Sequence, residues 1–195
     1  MRHIFTSSLL AASFLVAGAA SAQVTFTGTT TGTFSATSTS TDSGLTFVGS
    51  SFTGTTSAGS PGFLSLSDPE DLGLFTLDNA THTYGGTFTI DIDLTEPSGV
   101  ALNPLVFSGP LSGIVNAAGG GILIQYTPGQ LNGVAYSDGT FDFIINNVSV
   151  LKGGNETESA TVITHPTATP EPSSLVLLGT GLLGLAGAAR RKFRG

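Results

Sequence analysis

Gly86-Thr87-Phe88-Thr89-Ile90-Asp91-Ile92-Asp93-Leu94-Thr95 is the stretch on which the fold class turns. Phe88, Ile90, Ile92 and Leu94 recur every second residue, while Thr87, Thr89, Asp91, Asp93 and Thr95 fill the gaps. Successive side chains of a strand point to opposite faces, so this pattern predicts a strand with one buried and one wet face. Glu96-Pro97-Ser98-Gly99 stops it. Downstream, Leu105 to Val115, Gly121 to Thr127 and Thr140 to Leu151 read as three more strands, and Glu158 to Thr164 as a final one. Within Thr140 to Leu151 the apolar parity switches from Phe141, Phe143 and Ile145 to Val148 and Val150. One extra residue at Asn146-Asn147 restores the register, which predicts a β-bulge or bend. Ser137-Asp138-Gly139 reads as the hairpin turn ahead of that strand.

Upstream, Val24 to Ala58 is rich in Thr, Ser and Gly, with Val24, Phe26 and Phe34 at even positions and Phe47 and Phe52 beyond. β-Branched residues at period two read as strand, and the interleaved phenylalanines argue against disorder. Ser60-Pro61-Gly62 and Asp68-Pro69-Glu70-Asp71 are turn clusters around short apolar runs at Phe63 to Leu66 and Leu72 to Leu77. Many short strands, Gly and Pro turns and no amphipathic helix predict an all-β domain. The expected form is an antiparallel β-sandwich of about seven to nine strands, with a β-solenoid as the alternative.

Both ends of the chain read as processing segments. Arg2, an apolar stretch from Ile4 to Ala19 and the small residues Ala20-Ser21-Ala22 predict a helical signal peptide over residues 1–22, cleaved before Gln23. At the far end Pro170-Glu171-Pro172 leads into an uncharged run from Ser173 to Ala189, closed by Arg190, Arg191, Lys192 and Arg194. Seventeen residues at about 1.5 Å each span roughly 26 Å, just short of a hydrocarbon core of about 30 Å. The expectation is a transmembrane helix over 173–189 with a cytoplasmic basic tail at 190–195, which places the β domain outside. Thr180, Gly184 and Ala188 give that helix a small-residue face. The β domain is expected over 23–164, with 165–172 as an extended spacer.

Gln23 to Thr169 is 147 residues, long enough for a core without covalent staples, and the chain has no cysteine for disulfides, thiolate metal sites or thiol nucleophiles. That stretch holds twelve acidic residues and one basic one, Lys152, a formal charge of −11. So acidic a surface repels polyanions and excludes nucleic acid as a partner.

Chemistry-bearing constellations are sparse. Asp91 and Asp93 share a strand face, where solvation is the simplest role. Asp68, Glu70 and Asp71 are the better candidates for calcium, because oxygen ligands on a turn can wrap one ion. Apart from His3 in the leader, His82 sits beside a turn and His165 in the spacer. No Gly-x-Ser-x-Gly elbow occurs, so neither an enzyme nor a cofactor is expected. Gly179-Thr180-Gly181-Leu182-Leu183-Gly184 matches a dinucleotide fingerprint but lies inside the apolar run, without a preceding strand. Asn79, Asn147 and Asn155 begin glycosylation-type triplets that a Thr- and Ser-rich chain produces by chance. Thr25 to Thr33 and Thr37 to Thr41 could present hydroxyls to ice, if evenly spaced over several parallel strands.

The tail resembles the PEP-CTERM sorting signal of exported bacterial proteins, with Pro170-Glu171-Pro172, the Gly-containing apolar run and Arg190-Arg191-Lys192-Phe193-Arg194 in that family's order. The resemblance implies recognition by an integral-membrane exosortase, in logic similar to sortase processing. It also implies release or surface attachment, with extracellular polysaccharide as a further partner. Similar tails occur on proteins described as ice-binding. Together these features lead to the expectation of a non-enzymatic surface or matrix protein, membrane-anchored as a precursor, with a carbohydrate- or ice-binding module as the alternative.

Overall fold

A computed structural model describes residues 23–67, 71–167 and 172–193. The expected signal peptide, Ala20 and Ala22 included, lies outside the described residues. Ser21–Thr167 forms one compact unit, and the C-terminal helix belongs to another. In the first, the strands in chain order are β1 (Thr25–Phe34), β2 (Thr41–Asp42), β3 (Leu45–Gly49), β4 (Ser51–Thr55), β5 (Gly62–Leu66), β6 (Gly73–Leu77), β7 (His82–Tyr84) and β8 (Thr87–Glu96). They continue as β9 (Leu105–Asn116), β10 (Gly119–Ile124), β11 (Gln130–Tyr136), β12 (Gly139–Ile145), β13 (Val148–Leu151), β14 (Asn155–Glu158) and β15 (Ala160–Pro166). The tail forms one helix, α1 (Pro172–Phe193).

The domain is all-β and antiparallel, as its alternation predicts, but finer grained than expected. Fifteen strands among the described residues replace seven to nine, and three sheets replace the two of a sandwich. A seven-stranded sheet runs β13-β10-β9-β8-β1-β4, with β7 paired to β9; the four-stranded sheets run β11-β12-β15-β5 and β14-β6-β3-β2. Every strand pairing between these elements is antiparallel, which a solenoid of stacked parallel coils is not.

β8 behaves as its sequence dictates: Phe88, Ile90, Ile92 and Leu94 are buried and the intervening Thr and Asp are not. β1, beside it, buries Phe26, Gly28, Thr30, Gly32 and Phe34. The glycines make room for rings, since a β-carbon on Gly32 would lie 2.4 Å from the Phe47 ring and 2.5 Å from that of Phe88. Phe88 is the hub, 5.1 Å from Phe47 on β3 and 5.0 Å from Phe75 on β6, centroid to centroid. On the other small sheet, Phe141 meets Phe26 at 5.1 Å and Phe143 meets Phe107 at 5.7 Å. The buried face of the large sheet therefore packs on both small ones. Such ring pairs each add about 0.5–1.5 kcal/mol beyond the area they bury.

Two boundaries differ from expectation for identifiable reasons. Thr140 to Leu151 is not one bulged strand: β12 ends at Ile145 in one sheet and β13 starts at Val148 in another, so the parity switch marks a change of sheet. Asn146 N–H donates to Ser159 O, and the Asn147 side chain accepts from Tyr126 N–H at 3.0 Å, which supports the chain as it crosses. His165 and Pro166 belong to β15, not to a spacer, because Gly139 and Thr140 pair with them. The strand expected over Gly121 to Thr127 spans Gly119–Ile124.

The apolar run of the tail is helical from Pro172, yet among the described residues no helix is long and apolar enough to cross a membrane. The expected transmembrane helix is corrected to that extent. Gly179, Gly181, Gly184 and Gly187 interrupt the apolar surface of a run already shorter than a bilayer core.

Candidate functional sites

Three places could carry function: the tail, the outer face of the large sheet, and a polar seam where the sheets meet. In the tail, Pro170 and Glu171 lie outside the described residues, as does Arg194; Pro172 opens α1 and Arg190, Arg191 and Lys192 fall in its last turns. Pro suits a helix start, where its missing N–H removes no intrahelical bond, and cations suit the negative end of the helix dipole. Leu178, Leu182, Leu183 and Leu185 are all exposed on this helix, an apolar surface left uncovered among the described residues. Residues 168–192 match the PEP-CTERM protein-sorting motif. This sorting motif implies exosortase-dependent export, with a membrane-anchored precursor processed toward the cell surface. No curated protein and no solved structure matches the chain.

On the outer face of the large sheet, β1 presents Thr25, Thr27, Thr29, Thr31 and Thr33. β4 adds Ser51, Thr53 and Thr55, and β8 adds Thr87, Thr89 and Thr95. Register aligns them in rows: Thr55 with Thr25, Thr53 with Thr27, Ser51 with Thr29 and Asp93, Thr33 with Thr89 and Ser108. Thr25 and Thr55 hydroxyls lie 3.1 Å apart, and those of Thr89 and Ser108 2.8 Å apart. Asp91 and Asp93 stand among these hydroxyls on the solvent side. Of the two stretches that suggested ice, Thr25 to Thr33 supplies these rows, on antiparallel rather than parallel strands, whereas Thr37 to Thr41 runs from the turn after β1 into β2.

The polar seam was missed in the sequence. Glu158 is fully buried at 0% exposure; Tyr126 Oη donates to its Oε2 at 2.5 Å and Ser159 N–H to its Oε1 at 3.0 Å. Burial pushes the carboxyl up from its ordinary value to about 8, against the two hydrogen bonds, which pull it down. Burial and the neighbouring Glu158 push the Tyr126 hydroxyl upward as well. A signal was present: Glu158 shares the even parity of Ala160, Val162 and Thr164, all buried. Only an acidic residue in phase with a buried face betrays such a site.

The calcium candidates are not brought together as a described site. Asp68 and Glu70 lie outside the described residues, and Asp71 Oδ1 accepts from Gly73 N–H at 3.1 Å. Among the described residues no group of three or more His, Asp or Glu is placed to hold a metal ion. His82 stacks edge-on against Tyr84 at 4.9 Å, whereas His165 pairs with Asp142 at 3.2 Å on the exposed side of β12 and β15.

Proposed function

We propose that this is a non-enzymatic protein of the cell surface or extracellular matrix, delivered there by a membrane-embedded processing enzyme that acts on its tail. The observation that carries the reading is the sorting motif at residues 168–192. Its non-catalytic character rests on the sequence, which offers no cysteine and no nucleophile elbow. An acidic β domain repels its own copies and anionic surfaces, as suits a displayed protein. Replacing Pro170, Glu171 and Pro172 with alanine should leave the precursor unprocessed, read by intact mass and by fractionation of the host. Unchanged mass and location in that variant would sink the proposal.

A second reading is favoured by the hydroxyl rows on β4, β1 and β8. Hydroxyls recur at about 6.8 Å along a strand and about 4.8 Å across strands, a two-dimensional array suited to an ordered neutral lattice. None of the outward positions of β1, β4, β8 and β9 is aromatic, so the stacking platform of a sugar site is missing and ice fits better than carbohydrate. Inhibition of ice recrystallisation by the protein, lost on Thr29→Lys with Thr31→Lys, is the expected result. An inactive wild type would remove this reading and leave the first untouched.

A further inference from the structure

The last described anchor of the β domain, Thr167, adjoins the sorting motif along the chain. Thr167 N–H donates to Asp138 O at 2.8 Å, and Gly139 pairs with Pro166, so residues 166 and 167 are fixed to the tip of the β11–β12 hairpin. That tip is a two-residue turn: Tyr136 pairs with Gly139, with Ser137 and Asp138 exposed between them. From Thr167 to Pro170 there are three residues, which reach at most about 11 Å whatever conformation they take. A domain of this length has a radius of gyration of about 15 Å. An enzyme that takes residues 170–172 into its active site therefore cannot stand clear of the domain.

Peeling back the last strand is a poor escape. β15 lies between β12 and β5, so releasing it beyond its final residues breaks ladders on both sides. From this geometry we infer that the hairpin tip, Ser137 to Gly139, is a docking surface for the processing enzyme. The inference rests on the sorting reading above. Its neighbourhood defines the partner's chemistry. Asp138 at the tip and the Asp142–His165 pair one step along the hairpin carry the charge there, while the single basic side chain of residues 23–169, Lys152, bonds elsewhere to Asn116 O. The matching surface on the enzyme's outer face is basic or neutral, not acidic.

The test compares processing rates of full-length variants in a host that carries the enzyme, followed by intact mass. Asp138→Arg should slow processing several-fold, since the variant keeps the main-chain bond from Thr167 and reverses only the exposed charge. Ser112→Arg, on the outer face of β9, should be processed at the wild-type rate. Inserting twelve Gly and Ser residues after Thr167 should abolish the Asp138→Arg defect, because the domain can then stand away from the enzyme. Equal rates for Asp138→Arg and wild type at native spacing would overturn the docking surface, as would a defect that persists unchanged with the insertion. If Pro170, Glu171 and Pro172 can all be replaced by alanine with normal processing, the sorting reading itself fails, which is a different result from the first two.

Discussion

Deprotonating Glu158 would place a carboxylate where no water reaches it, with Tyr126 and Ser159 as its hydrogen-bond donors. Because its folded-state value is raised to about 8 from 4.5, the folded protein holds this proton more tightly than the unfolded chain does. The stability it contributes is complete below about pH 4.5 and is lost as pH rises through 8. At about 1.4 kcal/mol per unit, the loss across that window is on the order of a few kcal/mol. Glu158→Gln keeps an acceptor for Tyr126 and cannot ionise. Stability from urea unfolding between pH 5 and 9 should fall steeply for the wild type and stay nearly flat for the variant; parallel slopes would show that the proton belongs to another group. Held at neutral pH, the same proton makes the domain's formal charge one unit less negative than the −11 of the full acid count.

Asn146 and Asn147 have different duties at the crossing from β12 to β13, and their substitutions should separate. Asn147→Ala leaves Tyr126 N–H without its acceptor and should cost about 1–3 kcal/mol, while Asn147→Asp, which retains an oxygen, should cost less. Asn146→Ala removes only an exposed side-chain bond to Ser159 and should fall within about 0.5 kcal/mol of wild type in the same denaturation experiment. The reverse order would mean that the main-chain bond from Asn146 to Ser159 depends on its side chain. The parity switch here was legible, but not its meaning: both a bulge and a change of sheet shift the buried phase by one residue. β1, β8 and the Ser137-Asp138 hairpin were legible because burial and turn chemistry act locally. β6 was legible as a short strand over Leu72 to Leu77, but its place in a sheet was not. Its partners, β3 and β14, lie far away on either side, and local pattern carries no record of which strand a neighbour will be.

The whole chain divides into a folded acidic domain and termini that read as export and sorting signals, a division the charge distribution already carries. Lys152 is the single base between Gln23 and Thr169, and the other five bases fall at the ends. If the tail is an address and not part of the fold, the domain must hold together without it. The core supports this, since among the described residues its buried apolar side chains, from Val24 to Val162, all lie in one unit and end before Thr167. Both termini of that unit are pinned, Val24 by hydrogen bonds with Thr56 and Thr167 by its bond to Asp138. A fragment from Gln23 to Thr167 should therefore unfold in one cooperative transition, with a midpoint within about 3 °C of the full chain, since a domain of this size shifts by roughly 2–4 °C per kcal/mol. Calorimetry of the two proteins at the same pH checks it. A broad transition, or a midpoint lower by about 10 °C, would mean that α1 packs on the domain and stabilises it. Processing would then destabilise what it releases, and the tail could not be a detachable address.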